Sequence, residues 1–370
     1  MGVVYRGTLL SPAGERPVAI KQVAERGDID PRRRARLIAE ARLVFRLTHA
    51  NICQVLDLGE NEHGTFVVME LVRGCDLRAL VERLNQRGQR LDAACALYVA
   101  REVARGLDYA HRFRDPAGAP LGLVHGDVTP QNVLLSVEGE VKLADFGIAH
   151  AIDEAAPGEG LRAGTPGFLA PELASGRRDH RLDIYALGVT LLVSLIWRRP
   201  VDALATLPEL RTLRPDLSAQ LPEIVAMATA ERPEQRFASA AQLERALSTE
   251  LARRHPTFTP SQLAEIVRAH APEGPQTWQA QDALRSLTIV DGPPIAGLGD
   301  DAVAPAPSLP ARAGTKTAHT NEAASPSRAR LLRLGLAGAA AAAAMIGIVV
   351  AVQRSSPPPV APPVPASIAA

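Results

Sequence analysis

The sequence predicts an α+β fold of two unequal lobes, a small strand-rich one followed by a larger helical one. Short apolar, β-branched runs occupy the first 70 residues. From about residue 76 the apolar positions recur at helical spacing. Strand-like and helical stretches are segregated along the chain rather than alternating, which excludes a parallel α/β sheet. To this body the sequence adds a disordered linker and one transmembrane helix.

The small lobe, 1–70, begins with Val3, Val4 and Tyr5, then Pro17-Val18-Ala19-Ile20, both strand-like. A helix is expected from Asp30, with Asp30 as N-cap, Pro31 at the first helical position, and Leu37, Val44 and Leu47 at helical spacing. Short strands are expected near 52–58 and 64–70. The large lobe, 73–254, carries amphipathic runs near 91–112, 181–196, 219–230 and 238–253. Residues 255–290 form a helical extension, in which Thr259 caps a helix opened by Pro260 with Leu263, Ile266 and Val267 on one face.

Residues 291–330 are rich in Pro, Ala, Gly and Ser, hold few large apolar side chains, and predict a disordered linker. Residues 334–352 contain no charged side chain, and 19 residues span about 28 Å as a helix, close to a bilayer's hydrocarbon thickness. A transmembrane helix is therefore expected over 331–353, with a short Pro-rich extracytoplasmic tail over 354–370. Arg328, Arg330 and Arg333 precede the uncharged stretch 334–352 and Arg354 alone follows it, which places the large N-terminal part in the cytoplasm of a single-pass protein at the cytoplasmic membrane.

The net charge of +1 and the 4% aromatic content of the 370 residues give no basis for nucleic-acid binding. Cys53, Cys75 and Cys95 form no C-x-x-C pair and read as reduced thiols rather than a disulfide framework or zinc site.

The chemistry-bearing motifs follow in order. Val18-Ala19-Ile20-Lys21 sets a lysine in an apolar strand, where it needs an acidic partner or a phosphate, and Glu40 is the natural partner. His125-Gly126-Asp127-Val128-Thr129-Pro130-Gln131-Asn132 comes next. Asp145-Phe146-Gly147 follows the short strand Glu140–Leu143, and Ala170-Pro171-Glu172 follows that. This set resembles the protein-kinase series V-A-I-K, H-R-D-x-x-x-x-N, D-F-G and A-P-E, in the manner of bacterial eukaryotic-like (Hanks-type) serine/threonine kinases. Thr165, Asp183 and Arg236 also fall where that family has matching residues. The resemblance covers 1–254 and implies the two-lobed kinase fold, ATP and Mg²⁺ as cofactors, and protein Ser/Thr hydroxyls as acceptors.

Carried onto this chain, the resemblance implies that Lys21 holds the ATP phosphates and pairs with Glu40. Asp127 accepts the acceptor hydroxyl's proton, while Asn132 and Asp145 bind Mg²⁺. Val4, Ala19 and Leu134 sandwich the adenine, Met69 gates its pocket, Glu70 to Val72 form the hinge, and Asp76 lies near the ribose. Gly2 is the third glycine of the phosphate-covering loop. Glu172, Asp183 and Arg236 are scaffold residues.

Three departures stand out. Of the glycine loop only the end is present, so Met1 is read as an internal methionine of a longer chain. The arginine of H-R-D is Gly126, and Ile148–Gly164 contains no Ser, Thr or Tyr, which together predict a kinase not switched by phosphorylation in that stretch. The lysine expected two residues after the catalytic aspartate is Thr129. Two functional readings remain open: a membrane-tethered Ser/Thr kinase, its oligomeric state open to a dimer, or a pseudokinase that binds nucleotide or partners without transfer.

Overall fold

The structure, a computed structural model, describes residues 4–11, 14–22, 43–61, 64–146, 165–270 and 349–351. β1 (Val4–Ser11) and β2 (Gly14–Gln22) form an antiparallel hairpin with Val4 opposite Lys21 and Ser11 opposite Gly14. β3 (Val55–Asn61) and β4 (Gly64–Glu70) complete the antiparallel order β3-β4-β2-β1. Side chains alternate across a strand, so β2 divides its residues between two faces. Val18 and Ile20 join Phe66 and Val68 in one small cluster. Ala19 joins Val67 and Met69 in the main core, and Lys21, opposite Val67, shares that face.

The strand expected near 52–58 lies three residues later, because the chain before it pairs elsewhere. The Cys53 N–H donates to Leu143 O at 2.9 Å and the Leu143 N–H to Asn51 O at 2.9 Å. Asn51 is buried, and its side-chain amide donates to Glu102 Oε2 and Val141 O, both at 3.0 Å. Its carbonyl lies so near Gly106 that a Cβ there would come within 2.9 Å. This turn fastens the small lobe to the large one.

The large lobe opens with β5 (Gly74–Asp76) and α1 (Leu77–Gln86), followed by α2 (Ala93–His111). β6 (Val133–Ser136) and β7 (Val141–Leu143) extend β5 into a second sheet, ordered β5-β6-β7. Then come α3 (Arg181–Ile196), α4 (Pro200–Ala205), α5 (Leu210–Leu213), α6 (Gln220–Ala228), α7 (Ala240–Arg254) and α8 (Pro260–His270). Side-chain caps start several of these: Asp76 accepts from the Ala79 N–H, Asp92 from Ala94 and Ser239 from Gln242. α3 begins and ends as expected but is not amphipathic. Every residue from Leu182 to Leu195 is buried, because α3 is the axis on which α2, α6 and α7 pack.

The transmembrane helix expected over 331–353 is not seen. Most of that span, like the linker, the tail and residues 271–290, lies outside the described residues, and Val349–Ala351 is extended, paired antiparallel with Thr8–Leu10 of β1. Consecutive β-branched valines favour extended chain, and the side of β1 away from β2 presents backbone groups that a strand can take up. Among the described residues no helix is long and apolar enough to cross a membrane. Of the helix expected from Asp30, only its end is described: residues 43–45 are helical, and Val44 and Leu47 are buried as the periodicity requires.

The scaffold reading of Glu172 and Arg236 is seen directly. The two form a bidentate pair at 2.6 and 2.7 Å, with the guanidinium fully buried. Its remaining N–H groups donate to Ala230, Arg181 and Glu231 carbonyls, and its plane lies 4.8 Å from the Tyr185 ring. Arg236→Met leaves the Glu172 carboxylate buried without its partner and is expected to cost about 3–5 kcal/mol. The urea midpoint of the variant checks this, and adding Glu172→Leu should recover part of the loss.

Candidate active site

The site forms where the end of β2, the loop before β6 and the residues after β7 meet. Lys21 Nζ lies 2.5 Å from Asp145 Oδ2, with both side chains about a quarter exposed. Its expected partner, Glu40, lies outside the described residues, as does Gly2. Asn132 Nδ2 donates to Asp127 O at 2.7 Å and to Asp127 Oδ2 at 2.9 Å. The Thr165 N–H donates to Asp127 Oδ1 at 2.9 Å. The Asp127 carboxylate is therefore fixed through both oxygens, each keeping a lone pair for a further proton. Asn132 commits both amide hydrogens to Asp127, so the group left to face a ligand is its oxygen.

Asp145 has φ +63, rare for a residue with a side chain. Aspartate tolerates this region better than most, and its neighbours hold it there. Ala144 donates its N–H to Asn132 O at 2.8 Å and accepts from His125 Nε2 at 2.9 Å. Phe146 is buried with its ring edge-on to His125 at 4.6 Å. Because His125 Nδ1 accepts from the Asp127 N–H, the imidazole proton sits on Nε2.

Beneath this loop Asp183 is wholly buried. It accepts from the N–H groups of His125 (2.8 Å) and Gly126 (2.7 Å) and bonds His111 Nε2 at 2.8 Å. Burial alone pushes this carboxyl up. The His111 hydrogen bond and charge, with His125 and the Gly126 N–H, more than offset that and hold it below the usual carboxylate range. Gly126 has φ +76, a conformation in which glycine carries no strain and a side chain would.

Ala19, Met69, Val72 and Leu134 are buried in the main hydrophobic core, against which Val4 packs. Two of the expected nucleotide-binding residues have their side chains engaged elsewhere. Glu70 Oε1 accepts from Lys142 Nζ at 2.9 Å and from the Gln54 N–H at 2.8 Å, and its own N–H donates to Gln54 O at 2.9 Å. Asp76 Oδ1 caps α1, and burial raises its pKa.

A protein kinase domain model matches residues 1–255. The chain belongs to the protein kinase family. It is 34% identical over 312 residues to the tyrosine-protein kinase MasK of Myxococcus xanthus, covering 80% of this chain and 48% of that protein. It is 37% identical over 250 residues to the serine/threonine-protein kinase PknL of Mycobacterium tuberculosis, covering 64% of this chain and 59% of that one. A crystal structure of a mutant PknI kinase domain from Mycobacterium tuberculosis aligns with a TM-score of 0.53 at 32% identity, over 68% of this chain and 90% of that one. The chain spans about half the length of the curated relatives it matches.

A protein kinase uses ATP and Mg²⁺, and the residues present fit both. Lys21 offers a cation for phosphate, and Asn132 and Asp145 offer hard oxygen donors. Among the described residues no group of three His, Cys, Asp or Glu side chains could hold a metal alone. Mg²⁺ takes one or two protein ligands together with substrate phosphates, the number that Asn132 and Asp145 can supply. The three cysteines are buried, and burial pushes the Cys75 and Cys95 thiols up to about 12 and Cys53 further still, so none is a nucleophile at neutral pH.

Sequence reasoning missed the Lys142–Glu70 pair, the Asn51 turn, and buried Arg214, which bonds Asp216, Leu195 O and Leu91 O. Each joins residues distant in sequence, or sits in a loop with no local signature. Asp183→Asn should lower stability at pH 7. A carboxyl whose folded pKa is depressed contributes fully above its unfolded value, about pH 4, and loses that contribution as pH falls through the folded value. The gap between wild type and variant in chemical denaturation should therefore shrink below about pH 4.

Proposed function

We propose that the chain is an ATP-dependent protein kinase that transfers the γ-phosphate to Ser/Thr hydroxyls of protein substrates, tethered to the cytoplasmic membrane through residues 331–353. The observation that carries the activity is the convergence of Lys21, Asp127, Asn132 and Asp145, with Asp127 held through both carboxylate oxygens. When bound, Mg·ATP supplies the transferable phosphoryl group and the charge neutralisation for its transfer. Asp127 accepts the acceptor hydroxyl's proton, and Asn132 and the Thr165 N–H keep its carboxylate aimed. Lys21 neutralises phosphate charge, and its pairing with Asp145 stores both groups in register. The apolar residues 334–352 and the flanking arginines support the tether, which requires Val349–Ala351 to leave β1 and join the span.

A second reading, a pseudokinase, is favoured by one observation. Thr129 stands where the family has a lysine, and its buried hydroxyl has no hydrogen-bond partner among the described residues, so this position brings no cation to the phosphates. The acceptor class is also a proposal. The likeness to PknL supports Ser/Thr, whereas MasK is named a tyrosine kinase.

Phosphate transfer from labelled ATP by the full chain, followed by phosphoamino-acid analysis, tests these readings together. Asp127→Asn should lower the rate about 10²-fold or more while leaving nucleotide binding intact. Label on tyrosine would change the acceptor class, and nucleotide binding without any transfer would establish the pseudokinase. Because Gly126 and the Ile148–Gly164 stretch leave nothing for a phosphate clamp to hold, phosphatase treatment should leave the rate unchanged. A need for phosphate on Thr165 would overturn that part.

A further inference from the structure

α8 lies beyond the matched residues 1–255, yet it is built into the catalytic body. Leu263 and Val267 are fully buried in the main core and Ala264 is nearly so. Thr259 and Gln262 start the helix with half of a capping box, the Gln262 side chain accepting from the Thr259 N–H at 2.9 Å. At this end the β6–β7 turn closes on the first residue of α8. Gly139, at φ +85, approaches Pro260 O so closely that no Cβ fits between them. At the other end Arg83 of α1 and Arg87 just after it reach the last carbonyls: Arg83 donates to His270 O at 2.5 Å and Arg87 to Ala269 O at 3.5 Å. Between them Arg268 donates to Val137 O at 2.5 Å, while the Val137 N–H donates to Arg73 O at 2.8 Å.

Among the described elements α8 packs chiefly on α1, β5 and β6. These carry the nucleotide side of the site. Leu134 lies on β6, opposite Asp76 of β5, and Asp76 caps α1. Arg73, tied through Val137 to Arg268, directly follows Val72 of the hinge. Among the described residues, no hydrogen bond or ion pair joins α8 to Asp127, Asn132 or Asp145.

We propose that α8 is a positioning element for nucleotide binding, and that Arg83 and Arg268 are its positioning residues, holding the β5–α1 corner and β6 in register. The proposal rests on the kinase reading for its ligand. It separates two effects: loosening α8 weakens nucleotide affinity and leaves the transfer step at saturating ATP intact.

The test uses the full chain with Arg83→Ala combined with Arg268→Ala, which removes two hydrogen bonds and no core side chain, beside Val267→Asp as the stronger variant. The Kd of Mg·ATP, read by displacement of a fluorescent ATP analogue, should rise about three- to tenfold in the double variant. The KM for ATP should rise with it and kcat should stay near the wild-type value, with Arg83→Lys recovering most of the affinity. Hydrogen exchange should quicken at the Cys75 and Leu135 amides as well as over 260–270. Exchange that quickens only over 260–270, with an unchanged Kd, would overturn the proposal and leave α8 a passive cover. Should Val267→Asp fail to fold, the arginine variants decide. Affinity and exchange need no phosphate transfer, so a chain that transfers nothing would sink the kinase reading and leave this test standing; if it bound no nucleotide either, exchange at Cys75 and Leu135 would decide.

Discussion

A carboxylate with no access to water is the constraint on which the rest of this site depends. Asp183 sits on α3, a helix buried all round, where an ion without partners would be severely unfavourable. It is stable there because two consecutive backbone N–H groups and one imidazole converge on it. Those donors fix residues 125 and 126, and the consequence propagates. With its backbone fixed, His125 takes the Asp127 N–H on one nitrogen and gives the other nitrogen's proton to Ala144 O. Ala144 and Phe146 in turn hold Asp145 in its left-handed conformation, facing Lys21. A buried scaffold charge thus aims both functional carboxylates without touching either.

The same frame gives Gly126 a physical meaning. The family's arginine at this place would carry the strain of a positive φ. That strain is worth bearing when the side chain binds a phosphorylated segment. A chain with no Ser, Thr or Tyr over Ile148–Gly164 has no such phosphate to bind there, and glycine removes the strain while keeping the N–H that Asp183 needs. The substitution conserves the backbone half of the residue's work and discards the side-chain half. At Thr129 the trade is different, since a buried hydroxyl without a partner replaces a cation and no bond is gained.

What was legible in the sequence follows from the range of the forces involved. The apolar run before Lys21, the boundaries of α3, the start of α8 at Pro260 and the strand over 64–70 are local signals, and each stands where periodicity and capping put it. Lys21, Asp127, Asn132 and Asp145 were legible through their order as motifs, and they converge. The short strands β5 and β6 were not, because three or four residues carry no periodicity and are extended only by pairing with each other. The second jobs of Glu70 and Asp76 were hidden for a similar reason. An ion pair with Lys142 and a helix cap are properties of neighbours in space, and a motif assigns a residue only one role.

The site divides physically into two halves with different supports. Asp127 and Asp145 are aimed from below by Asp183 and α3, through hydrogen bonds that are buried and charge-assisted, the kind that hold geometry most firmly. The nucleotide floor of Leu134, Val72 and Asp76 hangs on β5, β6 and α1, whose outer support is α8. That support combines a small apolar face with arginine-to-carbonyl bonds near the surface, which are individually weak and open first in local unfolding. An enzyme built this way keeps its chemistry rigid and leaves its nucleotide affinity adjustable.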